Sequence, residues 1–311
     1  ELHVIAAGSL LEFALKDLSS FGVGRVSSLF VYPMSFDEFL TATGQEGLLR
    51  TKRNSSPTNP LPEAFYNRLV EAFRSYMLVG GMPEAVATYT ETGSYRYSSD
   101  IVNEIIQGYQ DDFAKYGAKA NPLLLRQTLI SVAHQAGAKF VYSRVEGQYR
   151  SAEVKVALEM LKDAGLIIPT YHTDANGVPL GAEINERVVK YLIHDTGVLL
   201  GILGIDDDID DSIKEMMVAD SIDLVDKGHV AEMMAGLELI KYSSPQKRHQ
   251  LYYWQNMNKG TCAEVDYVIA RSGSIVPIEV KSGVKGSMSS MYSLMRNPQK
   301  HIEMGIRCSL G

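Results

Sequence analysis

Glu264-Val265-Asp266-Tyr267-Val268-Ile269-Ala270, Arg271-Ser272-Gly273, then Ser274-Ile275-Val276-Pro277-Ile278-Glu279-Val280-Lys281 reads as two strands joined by a turn. Polar and apolar residues alternate along both runs, and Ser-Gly supplies the turn between them. Strand side chains point to opposite faces in turn, so Glu264 and Asp266 project together while Val265, Tyr267 and Ile269 take the other side. By the same period Glu279 and Lys281 share a face, with Val276, Ile278 and Val280 behind them. Paired as a hairpin, the two strands bring Asp266, Glu279 and Lys281 together at one end of a sheet.

Working outward, the spacing predicts a helix over 230–240, strands over 251–254, 264–270 and 274–280, a helix over 289–295 and a strand over 305–310. That is an αβββαβ order. Two carboxylates converging near one ammonium is a way to hold a hard divalent cation and an activated water for phosphodiester hydrolysis. Asp266 and Glu279 would supply oxygen ligands to Mg²⁺, and Lys281 would position or deprotonate the water and offset developing charge. Glu232, on the preceding helix, could add a further carboxylate. The same residues also fit an exposed cross-strand salt bridge, worth ~0.2 to 1 kcal/mol. Tyr252-Tyr253-Trp254 fits either base stacking or a packed strand core.

Upstream, residues 122–190 read as helix, helix and hairpin, the order of a winged helix-turn-helix. Its second helix carries Arg150, Lys155 and Lys162 against Glu153, Glu159 and Asp163, a balance that suits phosphate binding poorly. Before it, helical spacing from Phe65 onward is broken at Gly80-Gly81-Met82-Pro83, and a polar stretch over 48–62 reads as a linker. At the start, apolar runs at 3–7 and 26–31 read as strands, with a helix after Gly8-Ser9 and a capped helix from Ser35.

Composition bounds these readings. The chain has 311 residues, 45% hydrophobic and 22% charged, a folded globular balance that at this length calls for more than one domain. No uninterrupted apolar run is long enough to span a bilayer, so no membrane segment is expected. Cys262 and Cys308 form neither a disulfide framework nor a zinc spacing, and seven His residues show no paired metal spacing, which points to a reducing, cytoplasmic setting. The net charge of −7 is uneven: residues 241–311 hold ten Lys/Arg against four Asp/Glu, while 206–226 hold nine Asp/Glu and one Lys. A basic tail behind an acidic spacer suits a polyanion such as DNA, though solvated faces give the same asymmetry.

With Glu232 on a helix, Asp266, and Pro277-Ile278-Glu279-Val280-Lys281 in αβββαβ order, the last segment resembles the PD-(D/E)xK nucleases of the restriction-endonuclease and Holliday-junction-resolvase type. The chain as a whole is similar to the C-terminal part of a bacterial and archaeal family of AAA-type ATPases that carry a C-terminal domain of unknown function. The motifs that carry this likeness fall in order: Val4 to Ser9, Gly24-Arg25, Pro33 to Phe39, Gly80 to Glu84, Lys190-Tyr191, Asp195-Thr196-Gly197, Gly228 to Glu232, Glu264 to Asp266 and Pro277 to Gly283.

The resemblance implies an α/β multidomain chain. Residues 1–50 would be the end of an AAA-type core, 60–118 a helical lid, 121–190 a winged helix and 191–311 a restriction-endonuclease-like domain. It further implies Ser9 as a nucleotide-sensing residue and Arg25 as the trans-acting arginine of an ATPase; Arg25 equally fits an ordinary turn. Ala7 stands where that family has a polar sensor. No Gly-x-x-x-x-Gly-Lys-Ser/Thr is present, so ATP is expected only where a P-loop lies upstream, and the start at Glu1-Leu2-His3 reads as an entry into a longer chain. Three functions follow: a DNA-directed ATPase portion with a Mg²⁺-dependent nuclease-like domain, a non-catalytic module binding DNA, a protein partner or a second copy of itself, or a regulatory ATPase in the intact protein.

Overall fold

Ser35 starts the first described helix by a capping box: Glu38 N–H donates to Ser35 Oγ at 3.4 Å, and Ser35 N–H donates to Glu38 Oε2 at 2.7 Å. This is a computed structural model that describes residues 3–8, 25–56, 58–114, 121–204, 211, 227–256, 263–283, 286–300 and 302–309. These hold ten α-helices and two mixed sheets. A helical region comes first: α1 (Phe36–Ala42), α2 (Glu46–Arg53), α3 (Glu63–Val79), α4 (Pro83–Thr92) and α5 (Tyr95–Phe113). Gly80, at φ +79, sits between α3 and α4, and a Cβ there would run into Asp195 Oδ1. The Gly-Gly break is therefore both a turn and a docking point, and Gly81 N–H donates to Asp195 Oδ2 at 2.6 Å.

Next come α6 (Pro122–His134), a 3-10 turn (Tyr142–Arg144), α7 (Ser151–Asp163) and the antiparallel strands β1 (Ile167–Thr173) and β2 (Ile184–Ile193). Gly165, at φ +75, ends α7 as the left-handed cap its position requires. The helix, helix, hairpin order is the one read from the sequence. The hairpin has no free outer edge on β1, however, because residues 170–172 pair in parallel with 251–253 of β3 (Leu251–Gln255). The first sheet runs β2-β1-β3-β4, so it crosses the boundary expected at 190/191. Several charges of α7 have partners within the protein: Lys162 pairs with Glu159, Arg248 reaches Asp163 at 3.7 Å, and Glu153 accepts from the Arg150 backbone N–H at 2.8 Å.

After α8 (Thr196–Ile202), the C-terminal region runs α9 (Lys227–Lys241), β3, β4 (Glu264–Val265), β5 (Tyr267–Arg271), β6 (Ser274–Lys281), α10 (Ser289–Met295) and β7 (Ile306–Ser309). This is the αβββαβ order, with the middle strand split at Asp266. The second sheet is β5-β6-β7, antiparallel then parallel. α9 packs Met233, Met234 and Leu237 into the main core, while Met291 and Leu294 of α10 pack on a smaller cluster with Trp254, Val265 and Ile275. Helices on both faces explain why β6 is buried almost throughout, from Ile275 to Glu279. Gly236 lets α9 close on the sheet, since a Cβ there would run into Tyr267 Oη.

The runs at 3–7 and 26–31 depart from expectation. Residues 3–8 and 26–31 join no ladder, and Ile5 and Val31 are 99% and 93% exposed. An apolar run becomes a strand only beside another strand, and no described strand flanks these two. The helix expected from Leu10, together with Ser9, lies outside the described residues, as does nearly all of the acidic stretch 206–226. No described helix is long and apolar enough to cross a membrane.

Candidate functional site

Tyr267 of β5 lies opposite Ile278 of β6, so the next pair along this antiparallel register sets Asp266 beside Glu279. Regular pairing stops there because a side chain replaces the backbone: Val280 N–H donates to Asp266 Oδ2 at 2.7 Å. Asp266 is thereby fixed at the junction where β4 leaves for β3 and β5 continues to β6. Lys281, two residues on from Glu279 and on the same face, donates to Glu279 Oε1 at 2.6 Å. The other oxygen, Glu279 Oε2, is buried and has no hydrogen-bond partner. The structure thus brings together Asp266, Glu279 and Lys281 as the strand alternation implies.

Glu232 belongs to the same neighbourhood through α9, whose backbone is tied to the sheet by Tyr267 Oη donating to Glu232 O at 2.8 Å. Its carboxylate, however, is turned to Lys190 of β2, with Nζ to Oε1 at 2.8 Å. The same ammonium reaches Glu264 Oε1 at 2.6 Å and lies 5.0 Å from the Tyr253 ring centre. Lys190 is 2% exposed, and its ion-pairing role escaped the sequence reading, which has it only within a motif, although a lone Lys inside the apolar strand end Val188 to Ile193 demands a buried counter-ion.

The electrostatics follow from burial and crowding. Burial pushes the Glu232 carboxyl up to about 7, against the pull of Lys190 and helped by Asp266 and Glu264. Burial likewise raises Asp266, with Val280 N–H, Lys190 and Lys281 opposing it. Glu279 is raised by burial, with Lys281 pulling down and Asp266 pushing up. Burial works against the charge on Lys190, but Glu232 and Glu264 outweigh it and hold the ammonium above its ordinary range. Four carboxylates thus share two ammonium groups, an excess of negative charge at one sheet junction.

Among the described residues, no group of three or more His, Cys, Asp or Glu side chains is arranged to hold a metal ion. Mg²⁺ is commonly held by one or two carboxylates, with water and substrate phosphate completing the shell. Asp266 and Glu279 fit that role by type and by the orphaned Glu279 Oε2. Of the other expected residues, Arg25 is exposed and distant in sequence from this cluster, and Ser9 is not among the described residues. Tyr253 and Trp254 are buried in the core rather than offered for stacking. His194 is a core residue, with Nδ1 3.1 Å from Leu166 O and Nε2 3.1 Å from Tyr109 Oη.

Residues 70–209 match a family model described as a domain of unknown function (DUF8612), and residues 227–309 match a second, also a domain of unknown function (DUF4143). The second domain is found at the C-terminus of AAA-type ATPases. No curated protein and no solved structure matches the chain. Lys190 lies in the first matched segment and its two carboxylate partners in the second, so the ion-pair network joins the two.

Proposed function

We propose that the chain is the C-terminal portion of an AAA-type ATPase and that the DUF4143 segment carries a Mg²⁺-dependent site for phosphodiester hydrolysis in DNA. The observation that carries this reading is the buried, unpartnered Glu279 Oε2 set beside Asp266, with Lys281 on the same strand face. Unsatisfied buried carboxylates are rare in native proteins, and groups with raised pKa values gather at functional sites. When bound, Mg²⁺ would polarise a phosphoryl oxygen and lower the pKa of a bound water. Asp266 and Glu279 would hold it. Lys281 would hold the attacking water or take its proton, and would offset charge on the phosphate. The restriction-endonuclease-like fold belongs to this proposal, supported by the αβββαβ order and by helices on both faces of the sheet.

DNA as substrate is supported by exposed Lys247, Arg271, Arg296 and Arg307 in the basic tail. Two other cations of that tail face inward. Lys241 donates to Met34 O at 3.0 Å and Tyr76 Oη at 2.6 Å, and Lys300 holds the carbonyls of the β1–β2 loop. The Lys281–Glu279 pair favours a second reading, a non-catalytic DNA- or protein-binding module, because it leaves Lys281 engaged with its neighbour. Incubating the chain with labelled DNA separates the two. Cleavage that requires Mg²⁺ and is lost in Glu279→Gln supports the site, whereas binding without metal-dependent cleavage supports the module.

A further inference from the structure

We propose that Lys190 is a built-in counter-ion that fills a second cation position in the carboxylate cluster and so limits the site to one divalent cation. The inference rests on the reading above and deepens it. Lys190 comes from a strand outside the αβββαβ segment, yet its Nζ stands 2.8 Å from Glu232 Oε1 and 2.6 Å from Glu264 Oε1. Mg²⁺ sits about 2.0 to 2.1 Å from its oxygen ligands. The same two oxygens, now held apart around the ammonium, would close in by roughly half an ångström or more to hold such an ion in its place.

The placement is rigid. Lys190 is 2% exposed, lies across from Thr170 in the β1–β2 register and is covered by the Tyr253 ring, so it cannot swing into solvent as a surface lysine does. Glu264 and Asp266 belong to one strand run, and Asp266 faces Glu279, which places the carboxylates in a row. Lys190 takes the Glu232–Glu264 end, and Lys281 lies at the Glu279 end. With all four carboxylates ionised, as a bound cation would favour, the two ammonium groups leave two negative charges, the complement of one divalent cation. The same arrangement explains why no three-carboxylate group forms among the described residues: Lys190 draws two of the four onto itself.

The test counts Mn²⁺ bound per full-length chain, from the electron paramagnetic resonance signal of free Mn²⁺ and by calorimetry. Wild type is expected to bind one. Lys190→Met and Lys190→Gln, the latter keeping hydrogen-bond donors without the charge, are expected to bind two. Glu264→Gln and Lys190→Arg are expected to stay at one. Two ions in wild type or one in both neutral Lys190 variants would each overturn the inference while leaving a metal site at Asp266 and Glu279; none in Glu264→Gln would overturn it by placing the one ion at Glu264 instead. No Mn²⁺ in wild type would instead remove the underlying reading. Should Lys190→Met not fold without metal, Lys190→Gln and Glu264→Gln still decide the count.

Discussion

Lys190 and Glu232 are 42 positions apart in sequence, and their charged groups meet at 2.8 Å in the interior. Removing one member of a buried pair leaves the other charge stranded, which costs ~3 to 5 kcal/mol. Lys190→Met is therefore expected to lower the unfolding free energy by about that amount. Replacing Glu232 by Leu in the same chain should return part of the loss, because an apolar pair carries no desolvation cost. Urea denaturation of the single and double variants reads both effects; additive losses would mean the two residues do not act on each other.

Stability should also respond to pH with a definite sign. The Glu232 carboxyl is pushed up to about 7 in the fold, chiefly by burial, while an unperturbed Glu titrates near ~4.3. Between those values the folded state holds a proton that the unfolded chain has released. The unfolding free energy should thus fall as pH rises from about 4.3 to 7 and level off above. Asp266 and Glu279, shifted the same way, add to the slope. Glu232→Gln should flatten it; urea midpoints at several pH values across that window that fall equally in both proteins would count against the assignment.

Gly236 and Tyr267 make a third case. In an exposed helix, Gly→Ala gains up to ~1 kcal/mol, but here the new Cβ would run into Tyr267 Oη and lie 2.8 Å from Leu192 Cδ1. Overpacking of this kind costs ~1 to 3 kcal/mol, so Gly236→Ala should destabilise on balance. Adding Tyr267→Phe removes the hydroxyl and should recover part of the loss. Thermal melts of the three variants check the sign and the rescue.

Arg307, exposed on β7, is paired in register with Glu279 of the proposed site. Arg307→Ala should weaken DNA binding evenly across sequences and reduce the salt slope of log K by ~0.9, the share of one neutralised phosphate. Lys300→Met, on an inward-facing cation, should leave that slope unchanged. Fluorescence anisotropy over a salt series distinguishes them.

How much of this was legible in the sequence depends on whether the cause is local. The β5–β6 hairpin and its facing pairs could be read because alternation and the Arg271-Ser272-Gly273 turn are written within 18 residues of one another. The break at Asp266 could not, because it depends on a side chain accepting Val280 N–H in place of a carbonyl. Lys190 was hidden for another reason: its carboxylate partners lie 42 and 74 positions away, and only its isolation among apolar neighbours hinted at them. The runs at 3–7 and 26–31 show the reverse error. Their β-forming residues are local, while the partner strands that would make them a sheet are not among the described residues.

The most direct measurement is single-turnover cleavage of end-labelled DNA by the full chain in Mg²⁺ and in EDTA, with binding followed in parallel. Cleavage by wild type in Mg²⁺ alone is expected, with Lys281→Met slower by ~10² to 10⁴-fold at unchanged DNA affinity, and with Asp266→Ala and Glu279→Gln inactive. Cleavage at the same rate in Asp266→Ala, or no cleavage by wild type under conditions where DNA is bound, would contradict a phosphodiesterase site at Asp266, Glu279 and Lys281.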